Sequence, residues 1–137
     1  MEGVKLVTAD LRGAHLRNAN MGGADLRGAH LAGADAAYTN LVGANLSGAE
    51  MTQIIMLGAN LRNADLAGAN LSGANLSYAI LQGVDLTNAN MSDADLSNAD
   101  LKGATLKTAN ISGAKLDHAI WLDGRICAVG SVGVCNK

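Results

Sequence analysis

Few side chains in this sequence are equipped for chemistry, and they are spread thinly. Two cysteines, Cys127 and Cys135, stand near the C-terminal end. Such a pair can form a disulfide, supply half of a metal site or remain as two buried thiols. No CxxC spacing or neighbouring histidine accompanies it, and a short tail gains about 2–3 kcal/mol from a closed loop, so the disulfide is favoured. His15 and His30 hold equivalent outward positions on different faces of the coil described below, and His118 holds another position near the far end. A metal or catalytic centre needs convergent ligands, so all three read as surface histidines. Ser47, Ser72, Ser77, Ser92, Ser97 and Ser112 recur at one outward position, but none sits in a Gly-x-Ser-x-Gly elbow with partnering His and Asp. The expectation is a protein without catalytic residues, metal or cofactor.

The element that positions these side chains is a five-residue repeat. A large apolar residue recurs from Leu6, Leu11 and Leu16 through Leu61 to Leu116 and Trp121 without a slip. Two positions before it stands Ala, with only Val4, Thr39, Ile54 and Val84 departing. This period fits neither the helical 3.6 nor the strand 2.0. Two inward positions in five leave three outward: Asp or Asn, then a polar or small residue, then mostly Gly or Asn. The last position suits a turn, because Gly reaches positive φ without steric cost and Asn tolerates it. A chain that turns every five residues and points the same two side chains inward closes into a coil. A Leu/Ala-rich helical bundle would have to hold its glycines in helix interiors, at about 1 kcal/mol each.

The pattern A-[DN]-L-x-x, present from Val4 to Trp121, resembles the pentapeptide-repeat family. The resemblance implies an all-β solenoid, a right-handed quadrilateral β-helix with four pentapeptides per coil. That gives about six coils and a rod on the order of 30 Å long at the ~4.8 Å strand spacing. The rod would occupy residues 1–121. The tail, residues 122–137, leaves the frame and reads as a cap opened by Trp121 and Leu122, since repeat arrays need their last unit covered. Its spelling W-x-D-G-x-x-C-x-x-G-S-x-G-x-C resembles an ending found on a bacterial and cyanobacterial subset of the family, many of them exported.

The family includes DNA-mimicking proteins that bind DNA gyrase through a strongly acidic dimeric rod. Here the best acidic column, Asp25, Asp65 and Asp85, is interrupted by Asn45, and Leu stands where those relatives tend to carry Phe. Gyrase binding is therefore the second reading. The first is a non-catalytic structural or protein-interaction module with an unidentified protein partner. A net charge of −2 and a pI near 5.8 argue against nucleic-acid binding. No apolar run reaches membrane-spanning length, so no membrane partner is expected. The chain reads as cytoplasmic, or as exported to a periplasm or thylakoid lumen if a leader has been removed; a disulfide suits the latter. The first coil should show an open edge, which predicts a homodimer formed there.

Two repeats are irregular, Ala36-Ala37-Tyr38-Thr39 and Ile54-Ile55-Met56-Leu57. Stacking by twenties puts both on one face, with Ala36 beneath Met56 and Ile54 above Ala34, which predicts that the small and large residues compensate. It also gathers Tyr38, Ile55, Leu57 and Tyr78 into an apolar patch rimmed by Asp and Asn, the candidate interaction site.

Overall fold

The computed structural model describes residues 1–137. Parallel bridges join each residue just before a central Leu to the one twenty further on, from Lys5 with Asp25 to Asp100 with Ile120. Bridges recur every five residues, so each turn of the coil has four sides and each side is a ladder of short strands joined by turns.

The hydrogen bonds of one repeat, Ala64 to Gly68, show why the pattern takes the form it does. The Ala64 N–H donates to the Leu61 carbonyl (2.9 Å) and closes the preceding turn. The Asp65 N–H donates down to Ala44 (2.9 Å), while the Leu66 and Gly68 N–H groups donate up to Asp85 and Thr87 (both 2.8 Å). The fifth donor, on Ala67, has no carbonyl in reach and is taken by Asp65 Oδ1 at 2.9 Å. Asn40, Asn45, Asn75 and Asp95 accept from the residue two further on in the same way, at 3.0–3.1 Å. The Asp or Asn of the pattern is thus the acceptor for the one N–H that the ladder leaves over, an Asx turn in each repeat that keeps the Asp or Asn.

Inside, Leu46, Leu66 and Leu86 stack in one column and are fully buried, as are Leu61 and Leu81 on another. Each is worth about 1.5–3 kcal/mol of transfer free energy. Ala44, Ala64, Val84, Ala59 and Ala79 fill the positions two before them, also buried. The first coil differs, with Leu6, Leu11 and Leu16 only partly covered.

Positive φ occurs at the expected Gly and Asn positions, for example Gly68 (66°) and Asn63 (57°). Less expected, Thr8, Tyr38, Gln53, Tyr78, Thr108 and His118 adopt it too, at 54–60°. A side chain with a Cβ costs roughly 1–2 kcal/mol there, so the ladder's hydrogen bonds override local preference at these sites.

At the irregular repeats the expected compensation is incomplete. Ile54 and Met56 are fully buried, yet a void of about 10 Å³ remains beside them, lined also by Ala36, Leu16 and Thr39. Thr39, buried in an Ala position, satisfies its hydroxyl by donating to the Leu16 carbonyl at 2.9 Å. The lining is otherwise apolar, so the void is dry. Ile54→Ala is expected to cost about 3–4 kcal/mol by enlarging it. Adding Ala36→Leu should recover much of that loss in urea midpoints, and strict additivity of the two changes would contradict the coupling.

The turns also set local charge. Arg12 donates two hydrogen bonds to its Asx neighbour Asp10 (2.8 and 2.7 Å) and holds that carboxyl down to about 2. A depressed carboxyl contributes stability above its unfolded value, near 3.9, that is lost as pH falls through the folded value. An NMR titration should therefore find Asp10 ionised down to about pH 2, and Arg12→Gln should return its midpoint toward the usual carboxylate range.

Candidate interaction surface

The face bridged through Asp35, Ile55 and Asn75 carries the irregular repeats. Tyr38 and Tyr78 sit on it with 50% and 62% of their surface exposed, two coils and roughly 10 Å apart. Ile55 between them is exposed and Leu57 half-buried, so Leu57 contributes less free surface than the sequence implied. Ala37, in the column of Leu57, is fully buried.

Tyr38 lies down over Gly58. A Cβ built on that glycine would stand 2.6 Å from Tyr38 Cε1, so only Gly leaves room for the ring. Arg17 covers the other side, its guanidinium carbon 5.2 Å from the ring centroid. The same Arg17 reaches the Asp35 carboxylate at 3.6 Å. Arg17 was not singled out from the sequence, although Ala37 twenty residues on gives its column and Tyr38 is the neighbour of that column. A cation over a half-exposed ring contributes about 0.5–1 kcal/mol and fixes the ring's plane. Because Ile55 stands where the pattern has Asp or Asn, it offers no side-chain oxygen, and the Leu57 N–H has no acceptor.

The remaining polar candidates do not assemble. His15, His30 and His118 are exposed and no three metal-ligating side chains converge. Asp65 and Asp85 are bridge neighbours, but Asp25 is bound by Arg27 at 2.7 Å, which lowers its pKa and neutralises its charge. Asp85 is also held low, by the Thr87 hydroxyl and then by the Thr87 N–H at 2.9 Å.

Cys127 and Cys135 are joined in a disulfide, both sulfurs buried against the core. The tail that carries them turns back along the last coil, pairing antiparallel as Lys115 with Val132 and Ile120 with Ile126. Leu116 N–H donates to Ser131 (2.9 Å), His118 to Cys127 (3.0 Å) and Trp121 to Arg125 (2.7 Å). Trp121 and Leu122 are half-buried where the tail departs. The tail also presents Ile126, Val129, Val132 and Val134 to solvent. The sequence predicts only cover from this apolar stretch, which has no repeat frame from which to tell inward from outward positions.

A family model of pentapeptide repeats matches in eight copies, over residues 2–31, 9–48, 54–93 and 85–120. The chain belongs to the pentapeptide-repeat family. Members form right-handed quadrilateral β-helices, and the four ladders above are that architecture. HetL, a pentapeptide repeat protein involved in heterocyst differentiation regulation in the cyanobacterium Nostoc, is 25% identical over 91% of this chain and 92% of its own, with a TM-score of 0.43. A pentapeptide repeat protein from the thylakoid lumen of Arabidopsis thaliana is 32% identical over 71% of each chain, TM-score 0.44. QnrB1, a plasmid-mediated fluoroquinolone resistance protein, is 22% identical over 93% of this chain and 65% of its own, TM-score 0.51. That last likeness is one of fold alone. No curated protein matches the chain.

Without the disulfide, Cys127→Ser with Cys135→Ser should lose about 2–3 kcal/mol of the tail's attachment. Amide exchange at Leu116 and His118 should quicken while that at Leu66 is unchanged. Equal exchange throughout would show that the tail's hydrogen bonds suffice alone.

Proposed function

We propose that this pentapeptide-repeat chain is a non-catalytic rod that binds another protein through the face of Tyr38, Ile55, Leu57 and Tyr78. In this reading residues 1–121 are a β-helix of about six coils, and residues 122–137, entered through Trp121 and Leu122, are its cap. The observation that carries it is that two tyrosines occupy a left-handed turn position with their rings exposed. The same column uses Asn18, Gly58 and Asn98 elsewhere, and His118 in the last coil. A bulky residue there costs roughly 1–2 kcal/mol; at Tyr38 the Arg17 contact returns about 0.5–1 kcal/mol of it, while Tyr78 stands 62% exposed. Tyr is enriched at the energetic centres of protein interfaces, and strained positions gather at functional sites.

Gyrase binding, the activity implied by the family's DNA mimics, has less support, because Arg27 neutralises the first carboxylate of the Asp25, Asp65, Asp85 column and Asn45 interrupts it. The disulfide favours an oxidising compartment such as a periplasm or thylakoid lumen.

The test is a photo-crosslinker placed at position 78, compared with one at Asn88 on another face. Crosslinks to a defined protein from position 78 alone, lost in Tyr38→Asn with Tyr78→Asn at unchanged melting temperature, are expected. Equal labelling from both positions, or a double variant that unfolds without altering capture, would refute the reading.

A further inference from the structure

We infer that the C-terminal edge of the rod between Ala104 and Ser112 accepts an extended acidic peptide of another protein as an added β-strand. The inference is independent of the tyrosine face and rests on the hydrogen-bond pattern of the last coil. In every coil but the last, the N–H of the central residue donates to the coil above, as Leu86 does to Thr105 at 2.8 Å and Met91 to Asn110 at 2.7 Å. In the last coil the tail supplies acceptors for Leu116, His118 and Trp121, but the N–H groups of Leu106, Thr108 and Ile111 have none. Carbonyls divide likewise. Those of Ala114 and Ala119 accept from Gly133 (2.8 Å) and Cys127 (2.9 Å), while those of Ala104 and Ala109 accept nothing.

The core beneath is open over the same stretch. Leu106, Ala109 and Ile111 are only partly buried, whereas Leu86, Ala89 and Met91, one coil below, are covered completely. The tail passes over the end of this stretch at Gly133, where a built Cβ would lie 3.4 Å from the Ile111 carbonyl oxygen and 3.6 Å from the Gly113 nitrogen, but it makes no hydrogen bond to Leu106, Thr108 or Ile111. The edge is thus dressed on two sides and bare on the other two, and the dressed half shows what fits. An extended segment pairs antiparallel, with small side chains turned in, as Cys127 and Ser131 are.

Charge selects the occupant. On the bare stretch Lys102 and Lys107 are exposed and not ion-paired, while Lys115 stands on the side the tail covers. Between Leu101 and Leu116 there is no Asp or Glu, and two carboxylates adjoin it, Asp93 leaning against Gly113 from the coil below and Asp100 accepting from the Lys102 N–H. Asp117 and Asp123, the only acidic residues beyond Asp100, are engaged by the Gly130 N–H (2.8 Å) and by Arg125 (3.4 Å). A second copy fits poorly. Its own C-terminal edge would oppose lysine to lysine, and its first coil, with Lys5, Arg12 and Arg17 against Glu2 and Asp10, is basic as well. An extended segment with alternating acidic side chains meets both the backbone and the lysines, the mode of β-strand addition.

The test uses the oxidised 137-residue chain, labelled with ¹⁵N, and a blocked octapeptide alternating Asp with Val. Saturable shifts at the Leu106, Thr108 and Ile111 amides are expected, with exchange slowed about tenfold. The same peptide with alternate amides N-methylated should bind at least about tenfold more weakly, since it loses the backbone bonds. A Lys/Val peptide should not bind wild type but should bind Lys102→Glu with Lys107→Glu, whose exposed sites leave the fold intact. The inference is overturned by no response to millimolar peptide, by indifference to N-methylation or to peptide charge, or by shifts that centre on Tyr38 and Tyr78. It is equally overturned if the three amides are already protected without peptide in a concentration-dependent way, which would identify a second copy as the occupant.

Discussion

A chain that turns every five residues has more N–H groups than its neighbouring coils can accept, and the whole molecule follows from how that surplus is handled. Four donors per repeat go to carbonyls. The fifth points sideways at the start of each turn, and at Asp65 or Asn75 it finds a side-chain oxygen supplied from two residues before. A buried or half-buried donor left unpaired costs about 1–3 kcal/mol, so the Asp/Asn position contributes to the fold wherever it is kept, although the ladder also forms without it at Ile55 and Ile80.

This division explains which parts of the molecule could be read in advance. The period, the inward columns and the stacking by twenties depend only on residue size and spacing, and they appear as the bridges from Lys5–Asp25 to Asp100–Ile120. The disulfide followed from the isolation of Cys127 and Cys135. What escaped depends on where side chains lean. Arg17 and Tyr38 belong to different columns and different coils, so their stacking requires knowing that side chains at the turn lean toward the next coil, as Tyr38 does over Gly58. The void beside Ala36 was hidden for a similar reason, since residue volumes balance by column while packing is decided across columns. The tail resisted because it lacks the period, leaving nothing in the spelling to separate buried Cys127 from exposed Ile126.

Core and surface are unusually separable in such a fold. The ladder and the two inward columns use the same few residue types throughout, so the three outward positions are free to differ from face to face. Departures from the pattern therefore carry information. Ile55 gives up the oxygen that Leu57 would have used, and Tyr38 and Tyr78 give up Gly or Asn where the backbone is left-handed. These three lie on one side of the rod, whereas Ile80 and Ile120, which also lack the oxygen, and Thr8, Gln53 and Thr108, which also replace Gly or Asn, are spread over the others. The tail side of the last coil is the other place where the repeating rule lapses, with half of its donors served and half not.

The twenty-residue register has a consequence for how such a chain can change length over evolution. Insertion or loss of a single pentapeptide keeps the inward positions filled by the same residue types and leaves the Asx turns intact, so the fold tolerates it. The same event rotates everything downstream by a quarter turn. A deletion of five residues between Tyr38 and Tyr78 would carry the second tyrosine to a neighbouring side, scattering the face without disturbing the rod. Only changes by whole coils preserve a surface that spans several of them, so in lineages where such a surface is used, repeat number should drift in steps of four.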